Sequence, residues 1–122
     1  MNGIEKRRHS RIPVSVPISC ISIDADGTHL NFNMGVVKDV SQSGMALEVL
    51  SEVTSDHMVL TFIAMDNQTL EINGKVMHSR KTPTGAVMVG VSLLGTPAEN
   101  LEFVKHLVRF HHYTKRISPA VQ

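Results

Sequence analysis

One cysteine, Cys20, stands in 122 residues, so no internal disulfide can form and a reducing compartment is expected. Charge of one sign is also missing. Twelve Lys and Arg against 11 Asp and Glu leave a formal net charge of +1, so no global field draws the chain to nucleic acid. Aromatics number four Phe and one Tyr, with Phe103, Phe110 and Tyr113 in one C-terminal segment. That leaves few stacking platforms for single-stranded nucleic acid. No apolar run is long enough for a membrane span, and the first begins after Arg11 and is broken by Pro13 and Pro17. No secretory signal is read, and the expectation is a soluble cytoplasmic protein. Seven histidines are present, but His106, His111 and His112 lack the i, i+4 spacing of paired metal ligands on a helix. A single thiol adds no ligand set, so no metal is expected. No Walker loop, nucleophile elbow or zinc-protease motif occurs. Asp39 and Ser41 have no histidine base placed near them by sequence, so no enzyme is expected.

What remains is a chain of one domain's length, able to bury roughly two-thirds of its unfolded surface. Its apolar pattern predicts six strands and one helix. Val14, Val16, Ile18 and Cys20 alternate with polar residues in a first strand over Ile12–Ile23. Apolarity then moves to Ile21 and Ile23, which suggests a bulge near Cys20. Pro13 and Pro17 cannot donate to a ladder, so their side of the strand should be an edge. A second strand over residues 30–38 puts Leu30, Phe32, Met34 and Val36 on one face, and a third covers 45–50. A fourth, 58–65, is apolar on both faces. Asn73-Gly74 is a hairpin signal, yet Leu70, Ile72, Val76 and His78 keep one parity through it. One continuous fifth strand, 69–80, is therefore expected, with Gly74 inward and His78 a core histidine. Val87, Val89, Val91 and Leu93 mark the sixth. Thr96-Pro97-Ala98-Glu99 reads as a capped helix start. Leu101, Phe103, Val104, Leu107, Val108 and Phe110 supply the apolar face behind it. Residues 1–11 lack periodicity and read as an arm, 12–116 as the domain, and 117–122 as a tail.

Two stretches carry chemistry. Arg7-Arg8-His9-Ser10-Arg11 is a local cationic patch. Taken alone it also fits a solvated basic N-terminus. Asp39-Val40-Ser41-Gln42-Ser43-Gly44 joins the second strand to the third, at a barrel rim, where rigid strands can present a site. Taken alone it also fits a structural turn. Arginine's planar fork grips phosphate oxygens, matches the O6 and N7 acceptors of guanine and stacks on flat rings. A carboxylate accepts only, so Asp39 suits the N1 and N2 protons of guanine. Ser41 can donate to a phosphate or brace Asp39, and Gly44 allows positive φ and close approach of a ligand.

Arg7 and Arg11 fit Arg-x-x-x-Arg, while Asp39, Ser41 and Gly44 fit Asp/Asn-x-Ser-x-x-Gly, in that order. This pairing resembles the PilZ domain, over about residues 5–115. The resemblance implies a mainly β fold, a six-stranded antiparallel barrel with a C-terminal helix. It also implies a bacterial receptor for cyclic di-GMP, acting in motility, exopolysaccharide or biofilm control. Lys6, Arg7, Arg8, Arg11, Asp39, Ser41 and Gly44 are the ligand-binding residues expected on that basis. A basic residue before the first arginine, here Lys6, accompanies binding of an intercalated pair of ligands in the family, so two per chain are expected. The arm would order on binding and signal to a protein partner, with the chain a monomer or homodimer. No DNA, RNA or membrane partner is expected. Two other readings stay open: a PilZ-fold interaction module that binds no nucleotide, and a small barrel for single-stranded nucleic acid.

Overall fold

A computed structural model describes residues 10–117. Lys6, Arg7 and Arg8 lie outside them, as do residues 118–122. Six strands run Ile12–Ile23 (β1), His29–Val40 (β2), Gly44–Val49 (β3), His57–Ile63 (β4), Thr69–Lys81 (β5) and Val87–Leu93 (β6), followed by helix Pro97–Ile117 (α1). They form a closed antiparallel barrel in the order β1-β2-β3-β6-β5-β4, with β4 returning to β1. The mainly β fold class and the single C-terminal helix are as expected. The helix reaches Ile117, the first residue of the expected tail.

The interior is filled by alternate residues of every strand. Val16, Ile18, Val37, Met45, Leu47, Val49, Met58, Leu60 and Val89 are almost wholly buried. Each such side chain contributes on the order of 1.5–3 kcal/mol. β1 runs straight through Cys20: its pairing with β2 is regular from Val16 to Ser22, and Ser22 is buried in turn. The bulge expected near Cys20 is absent, because Ser22 rather than Ile21 continues the inward row. The irregularities fall instead at Pro13/Val16 and Ser22/Ile23. β4 pairs with β1 only over Ser19–Ile23, so both prolines lie where β1 has a single ladder neighbour. Burial pushes the Cys20 thiol up to about 12, which keeps it protonated and inert.

The face of β2 that carries Leu30, Phe32 and Met34 points outward, with Phe32 61% exposed. The register dictates this. Ile18 and Cys20 face inward opposite Gly35 and Asn33, so those two must be the inward residues of β2. Asn33 satisfies part of its buried amide by accepting from Ser51 Oγ at 2.6 Å.

β5 is continuous through Asn73-Gly74, and Gly74 is buried with Val91 packed where a Cβ would stand. The helix begins with reciprocal bonds: Thr96 N–H donates to Glu99 Oε1 at 2.9 Å and Glu99 N–H to Thr96 Oγ1 at 3.1 Å. Phe103, Val104 and Leu107 insert into the core, and Phe110 meets Phe62 edge-on with centroids 5.3 Å apart. Leu101, expected on the apolar face, is left 40% exposed. No described helix is long and apolar enough to cross a membrane, and the described residues hold no cluster of metal-ligating side chains.

Candidate functional site

Register brings the two sequence stretches together. β1 and β2 pair Ile12 with Val40 and Pro13 with Asp39, which leaves Arg11 beside the loop that follows. Arg11 donates from Nε at 2.7 Å and from a terminal nitrogen at 2.6 Å, both to Oδ1 of Asp39. Oδ2 receives no donor from the described residues, so the carboxylate keeps acceptor capacity. Both side chains are about a third exposed, so solvent screens the pair and its own contribution is small, roughly 0.2–1 kcal/mol. It positions groups more than it stabilises the fold.

Asp39 faces outward because β2 carries an extra residue. Its pairing with β3 passes from Val37 opposite Leu47 to Asp39 opposite Ala46, so Lys38 is unmatched. Without that bulge Asp39 would share the inward parity of Val37. β5 has the same device. Val76 pairs with Val91 and His78 with Gly90, leaving Met77 unmatched. His78 is turned to the surface, where the expectation was a core histidine; the bulge reverses the parity on which that expectation rested.

One cross-strand row thus reads Asp39, Ala46, Gly90, His78. The charged and aromatic members stand at its ends, and the two small residues form a floor between them. The His78 ring lies over Gly90, in space that any Cβ at 90 would invade. Arg80 and Met88 flank this row, and the resulting trough of about 520 Å³ also takes in Arg11. Neighbouring strands are about 4.8 Å apart, so Asp39 and His78 are separated by roughly 14 Å. Arg80 has no ion-pair partner among the described residues, which leaves the trough cationic. Its sequence signal was faint: a single arginine at the end of β5, with its aim set by a bulge that periodicity does not show.

The rest of the loop is built differently. Ser41 is buried at 8% exposure; its N–H donates to the Gly44 carbonyl at 2.9 Å, and its hydroxyl lies 3.5 Å from the same oxygen. Gly44 does not adopt positive φ. A Cβ there would stand 2.8 Å from the Val91 carbonyl oxygen, so the glycine lets β3 approach β6. The structure therefore joins Arg11 to Asp39 at the trough and turns Ser41 and Gly44 into the framework behind them. A larger groove of about 900 Å³ lies beyond the loop, between it and α1.

Comparison with known proteins agrees with this fold. The PilZ domain model matches residues 5–110. The fold is similar to the PilZ domain of Escherichia coli YcgR solved with c-di-GMP, at TM-score 0.55 and 15% identity over 93% of this chain and 94% of that one. It is also similar to the Bacillus subtilis inhibitor of motility MotI/DgrA, at TM-score 0.60 and 9% identity. That match covers 85% of this chain but spans only 50% of MotI/DgrA. A third similar fold is the PilZ domain of CeSA from a cellulose-synthesising bacterium, at TM-score 0.54 and 16% identity over 83% of this chain and 97% of that one. No curated protein matches the chain.

Proposed function

The chain belongs to the PilZ domain family, and from that premise we propose that it is a receptor for cyclic di-GMP and not an enzyme. The observation that carries the reading is the Arg11–Asp39 contact at 2.6 Å. It unites both signatures at the mouth of a cationic trough with a flat floor. Cyclic di-GMP has two guanines and two anionic phosphates. Arg11 and Arg80 are the described groups suited to the phosphates or to guanine's O6 and N7. Asp39 is suited to a guanine's N1 and N2 protons, and the floor of Ala46 and Gly90 leaves room for a flat base. Lys6, Arg7 and Arg8, outside the described residues, join the chain two to four positions before Ser10 and close over the ligand. Lys6 supports uptake of two nucleotides per chain. Closure of this arm on the trough presents a new surface to a protein partner, in a cytoplasmic pathway such as motility control.

Asp39 makes the decisive test possible, because an anion beside an anionic ligand helps only if it reads base protons. Calorimetric titration with cyclic di-GMP should give saturable binding, with a ratio near two ligands per chain. Cyclic di-AMP, whose base lacks those two donors, should bind far more weakly, and a single-stranded oligonucleotide should not bind. Silence towards the dinucleotide would overturn the receptor reading in favour of an interaction module. A preference for the oligonucleotide would overturn it in favour of nucleic acid.

A further inference from the structure

The groove between α1 and the Ser41–Gln42 loop is larger than the trough and has no part in the reading above. Its walls hold Ile12, Met65 and Leu101, which are 42%, 43% and 40% exposed. Val108, half-buried, lies two turns along α1 from Leu101, roughly 10 Å away. Apolar residues left open in one concave surface mark a place where something binds. The rim is cationic: Lys105 and Arg109 line it, and no carboxylate does. Neither Lys105 nor Arg109 has an ion-pair partner among the described residues, whereas His106 on another side of α1 meets Glu102 at 3.2 Å.

From this we infer that the α1 groove docks an acidic, amphipathic helical segment of a protein partner. Charge narrows the occupant. The chain's own first residues carry Lys6, Arg7 and Arg8, and a second copy presents the same α1 cations, so both bring like charge to the rim. An extended strand is disfavoured, because on the stretch of β1 with one ladder neighbour Pro13 and Pro17 offer no N–H and the Ser15 N–H already donates to His111 Nδ1 at 3.1 Å. A single-stranded nucleic acid finds only Tyr113 to stack on. A helix with apolar residues at i, i+3, i+4 and i+7 can lay them along Leu101 and Val108, with flanking carboxylates reaching Lys105 and Arg109.

The groove is also joined to the trough. Ser10 and Ile12 line it while Arg11 lines the trough, and Ser41 and Gln42 line it while Asp39 lines the trough. Two short segments are therefore walls of both. Resting on the receptor reading, cyclic di-GMP held at Arg11 and Asp39 shifts these walls and changes the affinity of the groove for the helix.

The test uses the full chain and a fluorescent synthetic helix of about fifteen residues, leucines on one face and glutamates flanking them. A control peptide replaces the glutamates by lysines. The acidic peptide should bind and perturb amide resonances at Leu101–Tyr113 and Ser41–Gln42, and the lysine peptide should bind at least about ten-fold more weakly. The double variant Lys105→Glu/Arg109→Glu should lose about ten-fold or more for the acidic peptide, while melting and dinucleotide titration stay as in the parent. Equal binding of the two peptides, perturbation elsewhere on the barrel, or no binding would overturn the proposal. So would stronger capture by phosphatidylglycerol vesicles that the same charge reversal abolishes, which would make the groove a membrane site. If cyclic di-GMP fails to bind, the coupling falls with the receptor reading, and the nucleotide-free peptide titration still decides the docking.

Discussion

At Asp39 the side chain is a third exposed, held by Arg11 and aimed outward by a bulge. Two residues later Ser41 is 8% exposed, and five residues later Gly44 is pressed against the Val91 carbonyl. One sequence signature thus contains an exposed part, which we propose meets ligand, and a buried part that holds the rim in shape. The difference teaches that residues in one motif need not share a role. Serine and glycine here fix the path of the chain, so that a carboxylate and a guanidinium 28 residues apart can share an oxygen at the surface.

The comparison breaks if the two parts fail in the same way when mutated. The largest effect expected is on binding. Arg11→Ala and Arg7→Ala should each remove charge-assisted contacts worth about 1.5–3 kcal/mol, a roughly ten- to hundred-fold loss of cyclic di-GMP affinity. Asp39→Ala should also weaken binding although it removes a negative charge. All three should keep parental circular dichroism. If Asp39→Ala binds more tightly, Asp39 repels the phosphates and does not read the base.

Gly44→Ala should act on the fold. The new methyl meets a backbone oxygen in a paired strand, which can yield only by moving β3 from β6. About 1–3 kcal/mol of stability should be lost, seen as a lower urea midpoint. Ser41→Ala, which removes a long, weak hydroxyl contact, should cost less, about 1 kcal/mol or below. Gly44→Ala with parental stability but no ligand affinity would move the glycine into the ligand-facing part and erase the distinction.

Strand number, the continuity of β5 and the helix cap were all legible in the sequence, because each depends on local chemistry. Thr96 and Glu99 form their reciprocal bonds within one helical turn, and Val14 to Cys20 alternate without interruption. What the sequence hid depends on partners far along the chain. Leu30, Phe32 and Met34 look like a core face until β1 places Asn33 and Gly35 inside. Asp39 was found through its motif and not its parity. His78 has no motif and its parity points to the core, because a one-residue bulge leaves no periodic mark of its own. Small residues at 46 and 90 gain meaning only once β2, β3, β6 and β5 lie side by side.

The smallest effect expected on binding concerns the far end of the trough, and it asks whether the proposed ligand-facing part stops at Asp39 or reaches β5. The His78 ring rests on Gly90, roughly three strand spacings from Asp39. If it stacks on a base, His78→Ala should cost about 0.5–1.5 kcal/mol of binding, a two- to ten-fold loss by roughly the usual conversion. Stability should hardly change, since the residue is exposed and outside the core. Gly90→Ala supplies an independent check that keeps the imidazole. Its methyl would occupy the space under the ring, so His78 must swing away and the floor rises. Affinity should then fall by a similar factor with the histidine still present. If both variants bind cyclic di-GMP as the parent does, recognition ends at Arg11 and Asp39, and the bulge at Met77 serves only the curvature of the barrel.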